Sequence, residues 1–135
     1  MFFLPELAAV AAFFLFFNAP AHDNEADLSR LKKISWFSVG MNGFVGQQSE
    51  GERLYRAIAA KNTGKAAFIS LASSKDATPE AKLYAACGLH ALAFNGMDEL
   101  FSQDKNQEVT LLQGDILSRT KFNLIYSRIK QSGCE

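Results

Sequence analysis

The sequence has 135 residues, 48% apolar and 21% charged, the make-up of one ordinary globular domain with no room for a second. Lysine plus arginine and aspartate plus glutamate each number 14, so no net field draws the chain to nucleic acid or to an anionic membrane surface. There is no low-complexity tract or charge block, which excludes extended disorder beyond about residue 34.

Residues 1–21 read as a signal segment. The apolar run is uninterrupted from Leu7 to Phe17 and is followed by Ala19-Pro20-Ala21, a short h-region ahead of an A-x-A cleavage signal. Eleven residues fall short of the roughly 20 that a membrane-spanning helix needs. The start lacks lysine and arginine and carries Glu6, so an uncleaved anchor is the alternative, and a membrane is a partner only in that case. Cleavage implies a periplasmic or secreted protein.

Residues 22–33 follow as a flexible lead-in, because His22 to Asp27 is polar and acidic with nothing to bury. Residues 34–135 form a single helical domain. Leu28, Leu31 and Ile34 recur at helical spacing, whereas Ile34 to Val39 mixes β-branched and aromatic residues as a strand does; both readings stand. Asn42-Gly43 is a hairpin-turn dipeptide, although an irregular glycine-rich loop over Gly40 to Gly46 is equally compatible.

Ser49-Glu50-Gly51-Glu52 is a capping box that starts a helix with Leu54, Tyr55 and Ile58 inward. A second short helix runs from Lys65 to Ser73. Thr78-Pro79-Glu80 supplies an N-cap hydroxyl, a proline at N1 and a carboxylate at the positive end of the dipole. The helix it opens, Pro79 to Phe94, is apolar on nearly every side and should be central. Met97 to Gln103 adds a turn or two. Glu108 to Leu112, bounded by Gly114, is expected to be extended, and Phe122, Ile125, Tyr126 and Ile129 give a last amphipathic helix from about Ser118 to Lys130. The fold class is therefore mainly α, a compact bundle of about five short helices, with small extended or hairpin elements at 34–48 and 108–113.

Cys87 and Cys134 are an even pair in a chain that passes through an export pathway, so a disulfide is expected. It would close a loop of about 47 residues and contribute about 4 kcal/mol through the unfolded chain. His90 stands three residues after Cys87 on one helical face, but an apolar helix is a poor place to activate a thiolate. Cleavage after Ala21 would make His22 the amino terminus. Its amine and ring, with His90 as a third nitrogen, could chelate copper in the manner of a histidine brace.

Gly40, Gly43 and Gly46 match no nucleotide-binding spacing, and Gly64-Lys65 lacks the hydroxyl residue that a Walker loop requires, so no cofactor is called for. Glu50, Glu52, Asp98 and Glu99 sit at helix starts, where the dipole accounts for them. Trp36, Phe37 and Phe44 flank the glycine loop, either as core or as an exposed aromatic patch that grips a protein partner.

The capping box at 49–52 and the run Ala77-Thr78-Pro79-Glu80-Ala81-Lys82-Leu83-Tyr84-Ala85-Ala86-Cys87-Gly88-Leu89 resemble a set of small exported bacterial α-helical proteins of no assigned activity. The resemblance includes a glycine-rich loop before the first segment and an extended stretch before a final helix. It implies a bacterial envelope location and no particular chemistry. Two functions follow from the residues: a non-enzymatic protein-binding module of inhibitor or immunity type, favoured by the few catalytic residue types, or a small hydrolase or metal-binding protein using His90 and nearby carboxylates.

Overall fold

The computed structural model describes residues 21–42 and 46–134. Residues 1–20, all but the last residue of the expected signal segment 1–21, lie outside the described residues, as do Phe44 and the side chain of His22. Among the described residues the fold is mainly helical, with α1 (Ala21–Lys32), α2 (Glu50–Ala59), α3 (Gly64–Ser73), α4 (Pro79–Ala91), α5 (Met97–Leu100) and α6 (Phe122–Ser132). Two antiparallel hairpins accompany them: β1 (Met41–Asn42) with β2 (Gln47–Gln48), and β3 (Glu108–Gln113) with β4 (Ile116–Lys121).

α4 is the central element, as its all-round apolar sequence requires. It packs against α2, α3, α6 and β3, and nine of its thirteen residues are buried. Its start follows from Thr78, whose hydroxyl accepts the Ala81 N–H at 3.0 Å and donates to the Ile34 carbonyl, so one side chain caps the helix and ties down the segment after α1. Two glycines set how closely the helices approach. A Cβ on Gly88 would lie 2.2 Å from the Phe68 ring, and one on Gly51 would lie 2.3 Å from the Tyr84 ring, so α3 and α2 come nearer to α4 than alanine would permit.

Four boundaries differ from the sequence expectation. The supposed lead-in is α1, and Leu31 is fully buried with Leu28 packed against the core; Arg30 also pairs with Glu50 of α2. Tertiary burial of a few apolar residues outweighs a polar first turn. α4 stops at Ala91 rather than Phe94. There Ala93 takes φ 56°, and the Phe94 N–H bonds back to Leu89 O, a Schellman ending with alanine in the place that suits glycine.

The last helix begins at Phe122, because Ser118 to Lys121 belong to β4. Finally, Asn42 lies in β1 and not in a two-residue turn; Met41 pairs with Gln48 and Asn42 with Gln47, so the connection is longer than the Asn-Gly dipeptide suggested.

The extended expectation for 108–113 is met by β3. Gly114, at φ 60°, takes the first central position of the two-residue turn into β4, where a type II′ hairpin needs a positive φ. The hairpin joins the core through three bonds. Phe37 N–H donates to Thr110 O at 2.8 Å, Leu112 N–H donates to Phe37 O at 3.0 Å, and Thr110 N–H donates to the buried Glu80 carboxylate at 2.7 Å. At the other end Asp98 accepts from Tyr126 at 2.7 Å and Lys130 at 2.8 Å, clamping α5 to α6. Lys130, then Tyr126, hold the Asp98 carboxyl below the usual carboxylate range.

Candidate functional site

Cys87 and Cys134 form a disulfide, with Cα atoms 5.6 Å apart, that fastens the end of α6 to the middle of α4. With the sulfurs joined, neither is available as a nucleophile. His90, one turn on from Cys87, is half-buried beside a cavity of about 330 Å³ lined by Tyr55, Ala91, Ser132, Gly133 and the cystine. No carboxylate lines that cavity among the described residues. Nor do three His, Cys, Asp or Glu side chains gather anywhere among them as a metal site. Among the described residues His90 is thus brought together with the disulfide and not with a carboxylate, and the side chain of His22 lies outside them.

A buried polar cluster joins three elements. The Tyr84 hydroxyl donates to Ser38 O and accepts the Ser38 N–H, both at 2.8 Å, and Ser49 Oγ donates to the same carbonyl at 2.9 Å. Ser49 Oγ also accepts the Glu52 N–H at 3.1 Å, the expected N-cap bond. The Glu52 carboxylate, read as the second half of a capping box, is instead engaged by Gly40 N–H at 2.7 Å and by Arg56 Nε at 3.0 Å. Burial pushes the Tyr84 hydroxyl up to about 12, with the Ser49 hydroxyl, 3.1 Å from it, and the Ser38 backbone opposing the shift. A phenol that holds its proton so firmly clips segment 36–40 to the helices.

The three aromatic candidates part company. Phe37 is core, its ring 4.6 Å from that of Tyr84, because Phe37 stands on the face of the hairpin that carries buried Val109. Trp36, one residue earlier, points the other way and is 37% exposed. Phe44 lies outside the described residues. Trp36 lines a groove of about 510 Å³ with Leu112 and Leu117, walled by Gln47, Glu50 and Arg53.

The register explains the grouping, since Leu112 and Leu117 are directly opposed and share one face of the hairpin. Ile116 is 71% exposed and Leu117 61%, the most exposed large apolar residues among those described. On the opposite face a smaller apolar cavity of about 210 Å³ lies between Phe37, Val39, Leu111, Ile125 and Ile129.

Sequence reading missed Leu112, Ile116 and Leu117 as surface residues. The signal was present: Gly114-Asp115 between two runs with leucine is a two-residue turn dipeptide and marks a hairpin. No helix among the described residues is long and apolar enough to cross a membrane, and the disulfide is consistent with an oxidising compartment. No protein-family model, curated protein or solved structure matches this chain.

Proposed function

We propose that this chain is an exported, non-enzymatic protein-binding module of inhibitor or immunity type, working in the periplasm or outside the cell. The observation that carries this reading is the groove between Trp36, Leu112 and Leu117. An indole more than one-third exposed beside two leucines, rimmed by glutamines, Glu50 and Arg53, has the composition of a binding hot spot: an aromatic anchor with a polar surround. The disulfide supports the compartment, as does the h-region before Ala19-Pro20-Ala21. The bacterial envelope resemblance points the same way.

Trp36 is the sole tryptophan, so the groove carries its own optical probe. Immobilised protein should retain a stoichiometric partner from envelope extract at micromolar concentration, and adding that partner should change the emission of Trp36. Trp36→Ala combined with Leu117→Glu should abolish retention while leaving the circular dichroism of the helices unchanged. Retention of the same partner by the double variant would overturn the assignment of the groove, and failure of the wild-type chain to retain any protein would overturn the function.

A further inference from the structure

The outer edge of the hairpin is a second surface, which adjoins the groove at Asp115 and Leu117. On β3, Thr110 and Leu112 turn their backbone groups toward Phe37 and Glu80. Val109, Leu111 and Gln113 therefore bond across to Thr120, Ser118 and Ile116. The backbone groups of Leu117 and Arg119 consequently point to the open side of a two-stranded sheet, and the N–H of Lys121 continues the row. Every residue of β4 is exposed or half-exposed. A six-residue strand whose outer edge has no strand partner among the described residues, and which carries exposed Ile116 and Leu117, is a ready template for another strand.

We propose that β4 pairs antiparallel with β4 of a second copy about a two-fold axis through Ser118, making one four-stranded sheet from two hairpins. The charge pattern of the edge argues for this occupant. Outward-facing residues must meet outward-facing residues, so self-pairing is limited to registers that differ in steps of two. Centring on Arg119 would oppose it to its own copy, and centring on Thr120 would oppose Arg119 to Lys121; like charges directly opposite disfavour both, and the exposed pairing of Arg119 with Glu108 reduces that repulsion without reversing it.

Centring on Leu117 would set Arg119 against Asp115 but leave Thr120 and Lys121 beyond the partner strand, against Gly114 and Gln113, and so pair fewer residues. Centring on Ser118 sets Ile116 against Thr120, Leu117 against Arg119 and, at each end, Asp115 of one copy against Lys121 of the other. The edge is thus self-complementary in the one register that also uses its whole length. Because the axis is normal to the sheet, both Trp36 grooves open on the same face. The pairing needs only the strand edge and stands independently of the protein-binding reading.

Sedimentation equilibrium of the full chain, purified as its host processes it, tests this. A dimer is expected at micromolar concentration. Asp115→Lys or Lys121→Asp alone places like charges together at both ends and should weaken the dimer about tenfold. The swap D115K/K121D should restore it to within about threefold, a recovery that general surface effects do not produce. Ser118→Cys, on the axis, should yield a covalent dimer on mild oxidation with the Cys87–Cys134 link retained. A wild-type chain that remains monomeric at submillimolar concentration overturns the proposal, and so does a dimer indifferent to both single reversals.

Discussion

α4 and β4 are opposite kinds of element in one small protein. Nine of thirteen residues of α4 are buried, and none of the six in β4 is. α4 is held by what its side chains exclude from water, at about 1.5–3 kcal/mol for each large apolar side chain. β4 is held by backbone pairing to β3 and by Arg119, which bonds Thr110 and pairs with Glu108, and its exposed side chains make a surface. The contrast separates the residues that specify the fold from those that could change without disturbing it.

The largest effect should come from cutting the tie between α4 and α6. Replacing Cys87 and Cys134 together by alanine removes the constraint on a loop of 47 residues and should cost about 4 kcal/mol, read from the urea midpoint at constant slope. A loss below about 1 kcal/mol would mean that the helices hold the C-terminal turn unaided.

Next in size is the alkaline limb. Tyr84 keeps its proton to about pH 12 in the folded chain, whereas the unfolded phenol releases it near 10. Its contribution is therefore complete below pH 10 and lost as the pH rises toward 12, amounting to about 3 kcal/mol. Tyr126 is shifted the same way, by burial and then by Asp98, so the fall should be steep. Urea titrations between pH 9 and pH 12 would reveal it, and Tyr84→Phe should flatten it.

Smaller again is the close approach of α3 to α4. Gly88→Ala gains helix propensity but drives a methyl into the Phe68 ring, and a net loss of about 2 kcal/mol is expected by thermal or urea unfolding. A stabilised variant would show that the helices part easily. At the far end of the scale, Ile116→Ser at the hairpin tip should change monomer stability by less than about 0.5 kcal/mol, measured at dilute protein. A larger loss would erase the distinction between the two elements.

The same contrast explains what could be read in advance. α4 was legible because a helix apolar on every side has one place to go, and its cap, Thr78-Pro79-Glu80, is local chemistry. The disulfide was legible from cysteine arithmetic. β4 was legible only through the Gly114-Asp115 turn before it, because Ile-Leu-Ser-Arg-Thr-Lys itself has neither a buried face nor an alternating pattern to announce a strand.

α1 was missed for a related reason. Its first turn is polar, and the burial of Leu31 depends on helices that come later in the chain. Glu80 looked like a dipole partner for its own helix, yet its carboxylate serves β3 thirty residues away, a link that spacing cannot show. Of the candidate site, Trp36 was named and its leucine neighbours were not, because the groove is made by the hairpin register.

The attachment of the hairpin through Phe37 and Glu80 has a consequence for time as well as for place. The Thr110 amide proton is held by a nearly dry carboxylate, so its exchange with deuterium should wait for global opening. On the neighbouring strand, the amide of Arg119 directly across from Thr110 and that of Leu117 face the open edge and should exchange almost at the rate of a free peptide. One hairpin would then record both a slow clock and a fast one, and slowing of the fast one as concentration rises would time the arrival of a second strand.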